Sequence, residues 1–158
     1  MHLLFVNPLS RTLPETLAGV GSECGWTVSR AADYRQALDT AGHQTVDAAI
    51  VPAPAPGSVN EFREFDNLLR ILDSRRIATL ILSDSATPPA EDSRSLLETV
   101  RSDISAAELR GRLAMIARYH GLVKRLEQEL HNMERLSKRL NLKISRAEMR
   151  RAIAKGRD

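Results

Sequence analysis

Strands alternating with helices over the first hundred residues predict an α/β fold: a parallel five-stranded sheet with helices on both faces, followed by a long C-terminal coiled-coil helix. Three observations carry this. The short apolar runs "LLFV", "AAIV" and "ATLILS" have the length and content of strands buried on both sides. Between them lie segments whose apolar residues recur at helical spacing and stop at glycine. From Ser105 onward no helix stop is read before Gly156.

The first strand, over residues 3–6, is cut off by Asn7-Pro8. Leu13, Leu17 and Val20 then fall on one helical face, and Gly25 stands where a helix ends. "WTVSR" is the second strand, and residues 32–41 form the second helix, closed by Gly42. The third strand, over 48–51, runs into the proline loop of "DAAIVPAPAPG". A helix over about 60–74 follows, with Phe62, Phe65, Leu68, Leu69 and Leu72 as its apolar face, and "ATLILS" is the fourth strand. "DSATPPAEDSRS" is a polar loop, and "LLETV" is the fifth strand despite its glutamate. Ser105 and Glu108 have the spacing of a capping box at the start of the last helix.

Length and charge bound the organisation. A chain of 158 residues has room for one domain of ordinary size and a helical appendage, here divided into 1–116 and a basic extension over 117–158. Residues 1–104 carry 9 Lys and Arg against 14 Asp and Glu, and residues 105–158 carry 14 against 6. The two parts are therefore expected to do different jobs. Cys24 is the single cysteine, so no internal disulfide forms, and with no neighbouring base it is read as a structural thiol. "MHLLFVNP" lacks a basic leader and no stretch reaches the roughly 18 apolar residues of a membrane span. A cytoplasmic protein without membrane association is the expectation.

"HLLFVNP", "SRAADYRQAL", "DAAIVPAPAPG" and "ELRGRL" resemble, in order and spacing, a bacterial response-regulator receiver domain, a flavodoxin-like fold, over about residues 1–116. Pro56-Gly57 is similar to the Pro-Gly pair after the family's third strand. The resemblance implies a phosphoryl-transfer site: an acidic pair holding Mg²⁺ after the first strand, an acceptor aspartate ending the third, a hydroxyl ending the fourth and a lysine ending the fifth. Oxygen ligands hold the hard cation, and positive charge stabilises the transferring group. In this chain the acidic pair falls on Asn7 and Pro8, the acceptor on Pro52, the hydroxyl on Ser83, and the lysine on Arg101 or Ser102. Proline has no side-chain oxygen, so that position cannot accept a phosphoryl group. Asp47 stands at the wrong end of the third strand, and Asp84 lies one step past the serine. The sequence is thus similar to a degenerate receiver, a pseudo-receiver, with no catalytic residue, no cofactor and no metal.

The apolar positions of the last helix are Leu109, Leu113, Ile116, His120, Val123, Leu126, Leu130, Met133, Leu136, Leu140 and Ile144. Their steps of three and four make a continuous stripe whose heptad breaks where two threes meet. The expected use is a homodimer, with Leu113, Ile116, His120, Val123, Leu126, Leu130, Met133, Leu136 and Leu140 at its interface. An αα-hairpin turning near Gly121 or Asn141 is the alternative. The four histidines lack metal-ligand spacing. "LHNMERLSKRLN" also resembles linkers that join receivers to output modules. The expected function is non-enzymatic signal transduction, passed through the helix to an unidentified signalling partner or fused output domain. The alternative, resting on the basic run "KRLNLKISRAEMRRAIAKGR", is an RNA-binding, antiterminator-like regulator.

Overall fold

A computed structural model describes residues 1–8, 15–84 and 96–155. The chain divides into two compact units, Met1–Ala117 and Arg118–Asp158. The first holds β1 (His2–Val6), α1 (Glu15–Glu23), β2 (Thr27–Ala31), α2 (Tyr34–His43), β3 (Ala48–Pro52), α3 (Val59–Ser74), β4 (Ala78–Ser83) and β5 (Leu97–Arg101), together with the start of α4 (Ala106–Lys155). The strands form one parallel sheet in the order β2-β1-β3-β4-β5. Reversing the strand order beside β1 is the flavodoxin-like arrangement, which opens a crevice at the carboxyl ends of the strands.

Side-chain alternation along each strand divides the core in two. Leu3, Phe5, Ile50, Leu80 and Leu82 face Leu17 and Val20 of α1 and Leu109 and Leu113 of α4. Leu4, Val6, Ala49, Val51 and Ile81 face Tyr34 and Ala37 of α2 and Phe65, Leu68 and Leu72 of α3. Both faces are thus covered, as the near-continuous apolar strands require. Leu13 and the loop residues 85–95 lie outside the described residues.

The helix ends follow from local chemistry. Asp33 caps α2, its carboxylate accepting from the backbone N–H of Gln36 at 2.6 Å. Gly25, at φ +75°, closes α1: its N–H reaches the Ser22 carbonyl at 2.9 Å, and Trp26 N–H reaches Gly21 at 3.0 Å. That 6→1 and 5→2 pair of bonds is the Schellman arrangement that glycine favours. At α4, Glu108 N–H donates to the Ser105 hydroxyl at 3.2 Å, while the Glu108 carboxylate accepts from Arg112 at 2.8 Å. Half of the expected box therefore forms, and the glutamate turns along the helix instead.

Two expectations are corrected. Phe62 is 47 % exposed, whereas Phe65, Leu68, Leu69 and Leu72 are buried, because the first turn of α3 leaves the proline loop before the helix settles on the sheet. Leu113, assigned to the dimer seam, is fully buried in the core of its own domain, and Ile116 is partly buried against that core. The first three turns of α4 serve the fold, so neither residue is free for a partner in the way Leu126 is. The helix runs unbroken past Gly121 and Asn141, so neither hairpin turn forms.

Candidate functional site at the carboxyl edge of the sheet

The residues singled out by the resemblance stand at the ends of four strands along one edge. β1 ends at Val6, and Asn7 continues its ladder, its N–H donating to the Ala31 carbonyl at 2.8 Å. β1 pairs with β3 up to Phe5↔Ile50, so Asn7 and Pro52, each two residues further on, stand level. Pro52 is the last residue of β3 and pairs with Leu82. Ser83 ends β4 directly opposite Arg101, which ends β5. Ser102 follows, its N–H on the Ser83 carbonyl at 3.0 Å and its hydroxyl on the Asp84 carboxylate. The register therefore sets Arg101, rather than Ser102, level with Ser83.

A proline inside a central strand would remove a ladder bond. Here the next residue, Ala53, donates to the Leu82 carbonyl of β4 at 2.8 Å. Alternation then turns the Pro52 nitrogen towards β1, whose pairing with β3 stops at Phe5↔Ile50. With no N–H at Pro52 to give β1, the ladder of that pair goes no further. On the same residue, the Pro52 carbonyl accepts from the buried Tyr34 hydroxyl at 2.9 Å, and the Tyr34 ring meets Phe65 edge-on with centroids 5.7 Å apart. The position level with Asn7 is thus buried, apolar and fixed by α2. Tyr34 went unnoticed in the sequence as anything but a helix residue; an aromatic hydroxyl that is buried needs a partner, and that is the signal that could have found it.

The charged groups gather on the β4–β5 side. Arg101 donates to both carboxylate oxygens of Asp103, each at 2.9 Å. These bonds hold the Asp103 carboxyl below the usual carboxylate range and raise Arg101 further above its own. Arg101 thus spends its charge on a neighbour two residues away. Next to it, the Asp84 carboxylate accepts from the Ser102 hydroxyl.

A receiver's Mg²⁺ would need hard oxygen ligands beside the acceptor. Asn7, Pro8 and Pro52 offer one amide oxygen and no carboxylate, so the residues present do not fit that ion. Among the described residues no three of His, Cys, Asp and Glu are placed to hold a metal. His2 is occupied elsewhere: its Nδ1 donates to the Thr45 carbonyl, and its Nε2 lies by the Ser29 hydroxyl, both at 2.8 Å, at the opposite edge of the sheet.

No family model and no curated protein matches the chain. Solved structures do. The chemotaxis response regulator CheY4 of Vibrio cholerae is 21 % identical, with 73 % of this chain and 97 % of that one covered and a TM-score of 0.57. The N-terminal domain of a response regulator/sensory box/GGDEF protein from Carboxydothermus hydrogenoformans is 17 % identical, covering 77 % and 98 %, with a TM-score of 0.58. A trimeric coiled coil of yeast Spc42 fused to another solved structure is 20 % identical, covering 84 % and 93 %, with a TM-score of 0.57. The fold of this chain is that of CheY-like receiver domains. Among the described residues no helix is long and apolar enough to cross a membrane.

Proposed function

We propose that the chain is a receiver-like signalling module of the two-component type that takes no phosphoryl group and performs no catalysis. It acts by protein contact and by pairing of its C-terminal helix, whose change in pairing or twist reaches a partner or a fused output domain. One observation carries the reading: the strand end where a receiver keeps its acceptor holds Pro52, buried, with its carbonyl bonded to Tyr34. Among the described residues, Asn7 and Pro8 beside it supply no carboxylate for a metal, and Arg101 is engaged with Asp103. The single cysteine fits a reducing cytoplasm.

Pairing is supported by the exposed apolar row Leu122, Leu126, Leu130, Met133, Leu136 and Leu140, each between 57 % and 66 % exposed. A continuous row of that kind marks an interaction surface. The Spc42 fusion also carries, by its name, a coiled coil joined to another domain. Incubation with a small-molecule phosphodonor and Mg²⁺, followed by intact-mass measurement, is expected to leave the mass unchanged. A stoichiometric phosphate adduct would overturn the proposal.

A second reading rests on exposed Arg135, Lys138, Arg139, Lys143, Arg146 and Arg150 in the second unit. Clustered cations release counterions from a nucleic-acid backbone, so RNA binding would weaken steeply with salt. Retardation of RNA at low salt that vanishes when these six are neutralised would favour it. The lack of aromatic residues over 135–150 argues against stacking on single strands.

A further inference from the structure

The apolar row on the second unit becomes a regular heptad when Tyr119 and Ser137 replace His120 and Leu136. Positions 119, 123, 126, 130, 133, 137, 140 and 144 advance by alternating steps of four and three. In this register Val123, Leu130, Ser137 and Ile144 occupy a, and Tyr119, Leu126, Met133 and Leu140 occupy d. The double step of three, and the local overwinding it would demand, disappear. β-Branched residues at a with leucine at d favour two parallel strands, and one polar a residue fixes their alignment. Leu126, Leu130, Met133 and Leu140 are each at least 59 % exposed.

We propose that this seam is covered by a second copy of the chain, parallel and in register, with Ser137 facing Ser137. The inference rests on the dimeric reading above and adds orientation and alignment to it. The flanking charges specify the geometry further. In a parallel pair each g residue meets the e residue five positions later on the other helix. Lys143 then meets Glu148, an attractive contact made twice per dimer. Glu129 meets Glu134, a repulsive contact also made twice. Along one helix residues 129 and 134 do not face each other, so any coupling between them reports the pair across the interface. The dimer is therefore held below its attainable affinity by one charge layer, an arrangement suited to pairing that responds to a signal.

Two measurements on the full-length chain test this. On a Cys24→Ser background, Ser137→Cys is expected to form an interchain disulfide under mild oxidation in nearly all dimers. In sedimentation equilibrium at low salt, Glu129→Lys and Glu134→Lys should each lower the dimer Kd severalfold, and the double variant, which sets lysine against lysine, should lose that gain. High salt should flatten all three. A monomer at every concentration overturns the dimeric reading itself. A dimer in which Ser137→Cys fails to cross-link, or in which the two charge changes add without coupling, leaves that reading standing and overturns the parallel register. A trimeric mass overturns the two-stranded state.

Discussion

Gly21 sits where α1 packs tightly on the sheet. A Cβ there would lie 2.6 Å from Leu3 Cδ2 and 2.9 Å from Val28 Cγ2, and Leu3 is fully buried. Alanine would ordinarily gain about 1 kcal/mol in a helix interior. The overlap outweighs that gain, because a packed core resists added volume at a cost of about 1–3 kcal/mol. Gly21→Ala is therefore expected to lower the urea midpoint. Gly19→Ala, two residues away with nothing within 4 Å of its Cβ, should raise it, and the opposite signs separate packing from propensity. Asp103 offers a second single-residue test. Its folded-state carboxyl is held low by Arg101, so whatever the exposed pair contributes is present above the ordinary carboxylate range and lost as pH falls through the lowered value. A carboxyl NMR titration should find Asp103 below that range, with Arg101→Gln returning it upward. An unchanged midpoint in the variant would show that the bidentate contact does not persist in solution. Asn7, Pro8 and Pro52 were readable through the resemblance to receiver domains, since strand ends in a parallel sheet converge on one edge. The Tyr34 bond to Pro52 was not, because it joins residues 18 apart across two elements.

Among elements, α3 ends against its own preferences. Arg76 has φ +56°, the left-handed conformation at the position where glycine is usual. Its N–H still reaches the Asp73 carbonyl at 2.8 Å, and Ile77 N–H reaches Leu72 at 2.9 Å, so the Schellman bonds form around an arginine. A side chain in that conformation costs about 1–2 kcal/mol, and the extra freedom of glycine in the unfolded chain returns about 0.4–1. Arg76→Gly is thus expected to stabilise by about 0.5–1 kcal/mol in denaturant unfolding; a loss of stability would mean the arginine side chain makes contacts that outweigh its backbone cost. The central strands β1, β3 and β4 were legible as elements because burial on both faces leaves unbroken apolar runs. β5 was harder to read because it is an edge strand and carries Glu98, whose carboxylate accepts from Arg112 of α4, a partner no local pattern reveals. Phe62 was assigned to the buried face for the converse reason: helical spacing locates a stripe but not how far the stripe overlaps the sheet. The heptad was obscured by a similar limit. Leu136 and His120 look apolar or aromatic enough for a seam, whereas Ser137 does not, and only the regularity of the steps favours the serine.

At the scale of the whole molecule, the two units differ in what they bury and in what they carry. The first unit closes its core with Leu109 and Leu113, both fully buried on the face that α1 shares. Residues 118–158 hold 12 Lys and Arg against 5 Asp and Glu, leaving 11 against 15 for residues 1–117. A chain cut after Ala117 is therefore expected to keep a complete core, to unfold in one cooperative transition, and to reverse its behaviour on ion exchange, since the remaining domain is acidic. It should also sediment as a monomer at concentrations where the full chain pairs. Cutting after Ile104 instead removes two leucines that each contribute a few kcal/mol and uncovers the part of that face that α1 does not cover. That fragment should aggregate or bind hydrophobic dye, which makes it the control for a domain boundary placed inside one helix. If the longer fragment remained dimeric, the interface would belong to the sheet domain, and the exposed row from Leu122 to Leu140 would need a different partner. If it is monomeric and folded, the helix beyond Ala117 holds the pairing and the basic charge together, as the proposed route of the signal through that helix requires.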